Sequence, residues 1–342
     1  MKAVRFHQHG GPEVLRYEDA PDPQAKPGWI VVGVRACAMN HLDLWQRRGL
    51  ERVKIPFPHI SGADVAGEIS ALGEGVTGLR VGQRVMLQPG LSDGTCARCL
   101  SGEDNFCEKY DVLGYQSDGG DAELVAVPAV NAIPLPDHID FVTAAAFPLA
   151  FLTAWHMLHS RARLAKGETV LVIAAGSGVG QAAVQLAKVA GARVIATAGG
   201  EAKLQHARNI GADEVIDHYR DDVAARVRDL TNRRGVDVVI EHVGTATWER
   251  SVRALARGGR LVTCGATTGY DAKIDLRVLF ARQLSLLGSY MGGKPELLRA
   301  SELFFRGEVR PIVDRTFLLS ETAQAHNYLE SSSQFGKVVL VV

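Results

Sequence analysis

The sequence predicts an α/β protein in which a β-rich first region is followed by a region of alternating strands and helices. Short apolar runs separated by glycine and proline fill the first region, for example over residues 28–34 and 65–69. Such spacing is typical of a small barrel-like β domain. From residue 169 onward, apolar strands alternate with helical segments. This alternation indicates a doubly wound parallel sheet with helices on both faces.

The elements of the alternating region follow from its apolar patterning and its turns. Buried strands are predicted over residues 169–173, 193–197, 214–216, 236–240 and 260–264. An alanine-rich helix over 179–190 follows the first strand and ends before Gly191, a residue typical of helix C-termini. Apolar residues recur at steps of three and four over 141–160, which indicates a helix before the alternation. A terminal strand over 336–342 closes the chain.

The composition excludes several classes of protein. A length of 342 residues suggests two domains, and 46% hydrophobic with 22% charged residues is typical of a globular chain. Because 38 basic residues balance 38 acidic ones, the chain has no electrostatic tendency to bind nucleic acid or an anionic membrane surface. No signal peptide is visible at the start, and no apolar run approaches the roughly 20 residues that span a bilayer. We therefore expect a cytoplasmic protein without nucleic-acid or membrane partners.

A turn of small residues over 174–180 joins the first alternating strand to its helix. The three glycine positions of the dinucleotide fingerprint fall on Ala175, Ser177 and Gly180, so the strict pattern is not met. The strand before and the helix after still favour nucleotide binding over an ordinary tight turn. Small residues let the backbone approach a pyrophosphate, which the helix N-terminus binds. The predicted contacts are Ala175, Gly176, Ser177, Gly178, Val179 and Gly180.

The end of the next strand bears on the choice between the two nicotinamide cofactors. An NAD site usually places a carboxylate near Ala198 to hold the ribose hydroxyls, and this chain has none there. Its absence leaves room for a 2′-phosphate. Lys203 follows at a distance suited to pairing with that phosphate, and Tyr219 comes after the following strand. Lys203 could equally be a solvated helix residue. The sequence favours NADP(H) over NAD(H).

Three of the five cysteines lie in one polar loop, in the order Cys96, Cys99 and Cys107. Structural zinc prefers four tetrahedral ligands, and Asp93 precedes Cys96 by the same three-residue step that separates Cys96 from Cys99. A structural zinc site of three cysteines and one aspartate is therefore expected. The alternative is a metal-free lobe in which Asp93 only caps a turn. The other two cysteines are expected to be small core residues within apolar strands: Cys37 and Cys264.

Together with several further segments, these motifs resemble the medium-chain dehydrogenase/reductase superfamily over essentially the whole chain. The further segments are residues 10–15, 40–49, 62–67 and 152–155. The resemblance implies a GroES-like catalytic domain over 1–127, with a zinc lobe over 90–110, and a Rossmann cofactor-binding domain over 128–291. Residues 292–342 would then return to the catalytic domain. It also implies a cleft between the domains as the active site, and a homodimer formed through a sheet-edge strand over 284–290.

The departures from the zinc alcohol dehydrogenases favour one branch of this superfamily. Asn40 stands where those enzymes have a zinc-binding cysteine, residues 62–64 replace their Gly-His-Glu, and no cysteine occurs over 149–152. Catalytic zinc is therefore not expected, and Asn40 with Asp43 resembles the zinc-free quinone oxidoreductases. An alternative is an alcohol or aldehyde dehydrogenase with an unusual catalytic zinc site. Its candidate ligands would be Cys37, His41, His59 and Asp64.

The expected reaction is hydride transfer from NAD(P)H to a quinone or an α,β-unsaturated carbonyl, because conjugation spreads the developing charge and hydrogen-bond donors can suffice. Asn40 would orient the substrate or the nicotinamide ribose, and Thr153 would support the nicotinamide. Asp43 would hold the Asn40 segment, or is only a buried structural hydrogen-bonding group. Other cofactor-groove residues implied by the resemblance are Val243, Gly244, Gly265, Leu287, Gly288, Ser289 and Lys337. A protein that binds NADPH with little turnover is a further alternative.

Overall fold

The computed structural model describes residues 1–50 and 53–342 and divides the chain into two compact units. The first unit comprises Met1–Leu149, Gly293–Phe305 and Arg310–Val342, and the second comprises Ala150–Gly292 and Arg306–Val309. The second unit is thus inserted into the sequence of the first. The sequence-based boundary between residues 127 and 128 falls inside the first unit, because the strand Ala132–Pro134 pairs with Arg84–Leu87 of that unit's sheet.

The N-terminal part of the first unit is mainly β structure. Its strands are β1 (Lys2–Arg5), β2 (Arg16–Asp19), β3 (Trp29–Ala38), β4 (Asp64–Leu72), β5 (Arg84–Leu87), β6 (Gly90–Leu91), β7 (Asp111–Val112), β8 (Leu124–Pro128) and β9 (Ala132–Pro134). Its α-helices are α1 (His41–Arg48), α2 (Ala97–Leu100) and α3 (Phe141–Ala145). Short 3₁₀ helices cover Pro12–Val14, Asp104–Phe106 and Ala129–Asn131.

From residue 148 to residue 292, strands and helices alternate. The helices are α4 (Pro148–Trp155), which continues as a π-helix (His156–Arg161), α5 (Gly178–Val189), α6 (Glu201–Asn209), α7 (Val223–Leu230), α8 (Trp248–Ala254) and α9 (Leu276–Ala281). The strands are β10 (Thr169–Val172), β11 (Arg193–Ala198), β12 (Glu214–Asp217), β13 (Val236–Glu241), β14 (Leu255–Thr263) and β15 (Ser285–Gly288). All six strands are parallel, in the order β12-β11-β10-β13-β14-β15. Because the strand order reverses between β10 and β13, the ligand crevice of such a sheet lies at their carboxyl ends.

The C-terminal residues complete the sheet of the first unit. They form α10 (Lys294–Phe305), β16 (Val313–Leu318), a 3₁₀ turn (Leu319–Glu321), α11 (Thr322–Glu330) and β17 (Lys337–Val341). The seven-stranded sheet has the order β16-β17-β3-β4-β5-β9, and β8 also pairs with β3. β3 therefore lies between β17, from the end of the chain, and β4. The buried core of this sheet includes Ile30, Val32, Val65 and Val85.

Two local predictions from the sequence are corrected. The helix predicted over 141–160 is divided into α3, α4 and the π-helix, because Pro148 has no N–H to continue α3 and instead begins α4. Cys264 was expected to be a core residue within a strand. It lies one residue beyond β14 and is only partly buried, whereas Cys37 lies within β3 and is fully buried.

A buried arginine joins α1 to α11 at the end of the chain. Arg47 is 1% exposed, and its guanidinium donates to the Gly10 carbonyl and contacts His326 Nδ1 at 2.9 Å. It also pairs with Glu330, which binds the exposed Arg48 at 2.9 Å. Burial, followed by Arg47, lowers the pKa of His326 to about 3, so this histidine is neutral and can accept the hydrogen bond. The arrangement fastens the C-terminal helix to the N-terminal segment.

We expect Arg47→Ala to lower the free energy of unfolding by about 3 kcal/mol, since removing one partner of a buried charge pair leaves polar groups without hydrogen bonds. Arg48→Ala is the matched control and should lower it by less than about 1 kcal/mol, because an exposed ion pair contributes little. Urea denaturation followed by circular dichroism measures both values. Equal losses in the two variants would contradict the role given to Arg47.

Candidate active site

The turn before α5 has the geometry of an anion-binding helix start. Ser177 is the N-cap residue, and its Oγ accepts a hydrogen bond of 2.8 Å from the Gly180 N–H. A Cβ at Gly180 would collide with the Ala174 carbonyl oxygen, so the third fingerprint position requires glycine here. His242, at the end of β13, contacts Ser177 Oγ through Nε2 at 3.1 Å. The free N–H groups at the start of α5 can therefore bind a phosphate.

The other predicted cofactor-groove residues, apart from Lys337, lie at or just after the carboxyl ends of the parallel strands. Ala198 is the last residue of β11, Gly265 follows β14, and 287–289 covers the end of β15. After β13, the turn at Val243 and Gly244 is held by a residue that the sequence analysis missed. Both N–H groups donate to Glu241, a fully buried carboxylate. An acidic residue at the end of an apolar strand was the available signal.

Two hydroxyl groups in the second unit are buried and have no hydrogen-bond partner. They are Thr153 Oγ1 on α4 and Ser289 Oγ after β15. Buried hydroxyl groups are nearly always paired, so an unpaired one suggests a ligand or a water. A nicotinamide carboxamide offers both a donor and an acceptor. Both hydroxyls can therefore hydrogen-bond such a group, and Ser289 lies just beyond the carboxyl end of β15.

The end of β11 bears no carboxylate. Ala198 is 1% exposed, and a Cβ at Gly199 would collide with the ring of Tyr219, which lies over this glycine. Tyr219 is 82% exposed and packs edge-on against His218, with ring centroids 4.6 Å apart. His218 in turn approaches Thr197 Oγ1 at 3.5 Å. An aromatic platform thus stands beside the last residues of the strand.

The first unit contains a cluster of polar residues that we call the polar clasp: Asn40, the N-cap of α1, with Asp64 and Lys337, the first residues of β4 and β17. Lys337 Nζ donates to Asn40 Oδ1 at 2.6 Å and to Asp64 Oδ2 at 2.8 Å. Asn40 Nδ2 donates to the same Asp64 oxygen at 3.0 Å, and Leu149 N–H donates to Asp64 Oδ1 at 2.7 Å. Lys337 is 3% exposed and Asp64 is 0% exposed, so each charge depends on the other for solvation.

The polar clasp limits the hydrogen bonds that Asn40 and Lys337 can still form with a ligand. Lys337, predicted to line the cofactor groove, belongs to the first unit, and its ammonium group is buried against Asn40 and Asp64. The amide nitrogen of Asn40 donates to Asp64 and, at 3.3 Å, to the Ala38 carbonyl. Asn40 therefore has no donor left, and only one lone pair of Oδ1 remains to accept a hydrogen bond.

Asp43 supports the segment that carries Asn40. Its Oδ2 accepts a hydrogen bond of 2.7 Å from the Asn40 backbone N–H, which fixes the start of α1. Its Oδ1 is buried and has no partner. Burial, with a smaller effect of the Asp121 charge, raises the pKa of Asp43 to about 8, and burial raises the pKa of Asp121 to about 6. At neutral pH the Asp43 carboxyl group is therefore mostly protonated and adds no charge beside the polar clasp.

The residues at the positions of the catalytic zinc ligands do not fit a zinc ion. Asn40 and Asp64 are bound to the ammonium group of Lys337, which occupies the acceptor atoms a cation would need. The alternative ligand set does not form a converging group of metal ligands among the described residues. Of its members, Cys37 has its pKa raised by burial, and His59 Nε2 contacts the Gly114 carbonyl at 3.1 Å. Within residues 1–50 and 53–342, the zinc-lobe residues form the only group of three or more metal-ligating side chains that converge.

That group is Asp93, Cys96, Cys99 and Cys107, whose ligand atoms lie within 4.8 Å of one another. Cys96 Sγ is 3.5 Å from Cys99 Sγ, which is 3.4 Å from Asp93 Oδ1. Tetrahedral zinc with sulfur bonds of about 2.3 Å requires sulfur separations of about 3.8 Å, so this donor set fits the ion. Hydrogen bonds from the Thr95 and Cys96 N–H groups lower the pKa of Asp93, which keeps its carboxylate ionised.

Comparisons with known proteins agree with this geometry. Residues 26–137 match the alcohol dehydrogenase GroES-like domain, and residues 178–306 match the zinc-binding dehydrogenase family. No helix in the described part of the chain has the length and apolar character needed to cross a membrane.

Similar proteins cover the chain from end to end. A quinone oxidoreductase of Pseudomonas aeruginosa is 35% identical over 99% of both chains, and an acryloyl-coenzyme A reductase of Metallosphaera sedula is 33% identical over 99% of both. A solved structure described as an NAD-dependent alcohol dehydrogenase is 45% identical, with a TM-score of 0.97 over 100% of both chains. The protein therefore belongs to the medium-chain dehydrogenase/reductase superfamily and is an NAD(P)H-dependent reductase or dehydrogenase.

Proposed function

We propose that this protein reduces a conjugated carbonyl compound, either a quinone or an α,β-unsaturated carbonyl, without a catalytic metal ion. The observation that carries the proposal is the polar clasp, in which an ammonium group binds the residues at the zinc-ligand positions. The alkoxide charge of a simple alcohol or ketone is hard to stabilise without a Lewis acid, whereas a conjugated acceptor spreads that charge. Two of the relatives, a quinone oxidoreductase and an acryloyl-coenzyme A reductase, carry names that specify such acceptors.

Four residues of the chain would then bind or position the cofactor and the acceptor. Bound NAD(P)H supplies a hydride from C4 of its nicotinamide. Thr153 and Ser289 hydrogen-bond the carboxamide through their unpaired hydroxyl groups. Asn40 accepts a hydrogen bond from a ribose or substrate hydroxyl through the free lone pair of Oδ1. Lys337, paired with Asp64, holds the Asn40 amide in position for that contact. Solvent supplies the proton that completes the reduction.

We also propose that NADP(H) is favoured over NAD(H). Ala198 leaves no carboxylate to repel a 2′-phosphate, and Lys203 stands in the first turn of α6 after the glycine pair. The exposed ring of Tyr219 over Gly199 offers a surface for the adenine or its ribose. An anionic phosphate gains charge-assisted hydrogen bonds at such a site, while a ribose hydroxyl would find no acceptor.

Oxidation of the reduced cofactor with a panel of acceptors tests this function. We expect turnover with 1,2-naphthoquinone or an α,β-unsaturated aldehyde and no turnover with saturated aldehydes. The chelator 1,10-phenanthroline should not lower the rate. We expect kcat/KM for NADPH to exceed that for NADH by about tenfold or more, as one or two charge-assisted hydrogen bonds would give. Turnover of simple alcohols that the chelator abolishes would establish the alcohol dehydrogenase alternative. Tight cofactor binding without any turnover would establish the binding-protein alternative.

In the same assay, Asn40→Ser separates the amide's role from that of the helix cap. Serine is a good N-cap, so the start of α1 should be preserved and the melting temperature should change little. The variant loses the hydrogen bonds to Lys337 and Asp64, and we expect kcat to fall by about tenfold or more because a misplaced contact is costly in catalysis. Lys337→Met, which retains the length of the side chain but leaves the buried Asp64 without its counter-ion, should lower kcat similarly and also lower the melting temperature. Full activity in a folded Asn40→Ser protein would remove Asn40 from the mechanism.

We propose that the lobe of Asp93, Cys96, Cys99 and Cys107 holds one structural zinc ion, with a role in stability and none in the reaction. Four tetrahedral ligands leave no open position for a substrate.

Metal analysis of protein purified without chelator should therefore give about one zinc per chain. Asp93→Ala should lower the zinc content and the melting temperature. Glu103→Ala is the matched control, because this lobe carboxylate only pairs with Arg98 and should keep its zinc. Less than about half an equivalent in the wild-type protein would instead favour a metal-free lobe with Asp93 as a turn cap.

We further propose a homodimer formed through the β15 edge of the parallel sheet. α9, which precedes this edge strand, has no buried residue, and its Leu276 and Phe280 are 64% and 68% exposed. An apolar helix beside an open strand edge suggests a surface that a second copy covers.

Sedimentation velocity should accordingly show a dimer, and Phe280→Glu should shift it toward monomer because burying an unpaired charge is unfavourable. Val189→Glu introduces the same charge at an exposed apolar residue of α5 and should leave the dimer intact. A monomeric wild-type protein would contradict the proposed interface.

A further inference from the structure

A cavity with arginine side chains around it lies at the amino ends of the strands in the second unit, opposite the edge that carries the turn before α5. We call it the arginine cavity. The residues that line it are Arg233, Arg234, Ala256, Arg257 and Arg282. They lie before or at the starts of β13, β14 and β15, which are neighbours in the parallel sheet. Its volume of about 410 Å³ is within the range of small-molecule sites, about 300–1,000 Å³.

The two arginines before β13 differ in how their charges are balanced. Arg234 donates to Asp237 at 3.1 Å, and this ion pair neutralises it. Arg233 is exposed, and its side chain forms no hydrogen bond or ion pair with any residue that the structure describes. The carboxylate of α7, Asp229, lies 3.6 Å from Arg226. Arg233 therefore brings an unpaired positive charge to the arginine cavity.

The other two arginines each donate a hydrogen bond to the end of a helix. Arg257 donates at 3.3 Å to the carbonyl of Ala281, the last residue of α9, and Arg282 donates to the carbonyl of Leu255, the residue after α8. Cations are favourable at helix C-termini, so these two bonds stabilise the fold. Neither arginine has a carboxylate partner among the described residues. Because a guanidinium has several N–H groups, one bond to a carbonyl leaves the others available for a ligand.

The chemistry of these groups favours a phosphate-bearing ligand with several negative charges. Like charges that converge repel each other, and burial, followed by the charges of Arg257 and Arg228, lowers the pKa of Arg282. A bound anion would relieve the repulsion. A guanidinium binds a phosphate through two parallel hydrogen bonds, and three such groups match a chain of adjacent phosphates. No aromatic side chain among the described residues lines the cavity, so the ligand's phosphates and not a nucleotide base would be recognised.

We propose that the arginine cavity binds a small polyphosphate anion at a site separate from that of the cofactor. β13 has 6 residues, so at about 3.3 Å per residue its two ends are about 20 Å apart. The start of α5, which is suited to the cofactor's pyrophosphate, lies at the opposite edge of the sheet. A ligand in the arginine cavity would stabilise the second unit without contacting the nicotinamide. The inference goes beyond the proposed reaction and depends neither on the acceptor nor on the cofactor preference.

Isothermal titration calorimetry on the full-length protein tests the site without any assay of activity. The protein is first saturated with NADPH or NADH, whichever binds more tightly, so that cofactor occupies the anion site before α5. The probe is tripolyphosphate, and pyrophosphate, orthophosphate, citrate and ADP are compared with it at constant ionic strength. We expect tripolyphosphate to bind more tightly than pyrophosphate, and pyrophosphate more tightly than orthophosphate. Because the cavity offers no surface for a base, ADP should bind no more tightly than pyrophosphate, which identifies a free phosphate chain as the ligand.

Two variants and a matched control locate the binding. For Arg233→Gln and for Arg257→Gln we expect affinity for tripolyphosphate to fall by about tenfold or more, as the loss of one charge-assisted contact would give. Arg233→Lys should keep part of the affinity. Since the Arg233 side chain contacts no described partner, Arg233→Gln should leave the melting temperature unchanged. Arg208→Gln removes the same charge from an arginine that Glu201 already pairs, and its affinity should stay within about twofold of wild type.

Four results would overturn the proposal. Wild-type protein that binds no tripolyphosphate would exclude the site, and folded Arg233→Gln and Arg257→Gln proteins that both bind it as tightly as wild type would place the binding elsewhere. Equal losses in Arg233→Gln and Arg208→Gln would show a general effect of charge. Citrate or orthophosphate that binds as tightly as tripolyphosphate would show that the cavity does not select a phosphate chain.

Discussion

The buried ion pair between Lys337 and Asp64 is the interaction on which the candidate site of the first unit depends. At 2.8 Å, and with both groups shielded from water, neither charge is tolerable without the other. Asn40 completes the pair by bonding both partners, and Leu149 N–H joins the start of α4 to the same carboxylate. The ion pair thus connects the first residues of β4 and β17 with the start of α1 and the start of α4.

Strand register explains how these residues meet. β17 pairs with β3 so that Val339 is opposite Ala38, and continuing that register places Lys337 opposite Asn40. β4 pairs with the other side of β3, with Asp64 opposite Ala38. The pairing of the C-terminal strand β17 with β3 therefore also places the Lys337 ammonium group beside Asn40 and Asp64. The bond from Asp43 to the Asn40 backbone holds the start of α1, and its mostly neutral carboxyl group leaves the charge balance of the polar clasp unchanged.

In the second unit the parallel sheet determines where the site residues lie, because the carboxyl ends of all six strands are at the same edge. Consequently a helix start, several glycine turns and the unpaired hydroxyl of Ser289 lie at that edge although they come from distant parts of the sequence. Two residues stabilise the turns at this edge. Glu241 accepts hydrogen bonds from the turn after β13, and His242 contacts Ser177 in the turn before α5.

The sequence by itself determined the α/β class, the alternating strands and the turn before α5, and it identified the four residues that converge in the zinc lobe, because all of these depend on local spacing. It failed where distant segments decide the outcome. The domain boundary at 127 was wrong because β9 pairs back onto β5, and the single helix over 141–160 is interrupted at Pro148. Lys337 was assigned to the cofactor groove because nothing local reveals that its partners are Asn40 and Asp64, 297 and 273 residues away. Local patterning fixes the elements, but only the tertiary structure brings together charges that are far apart in the chain.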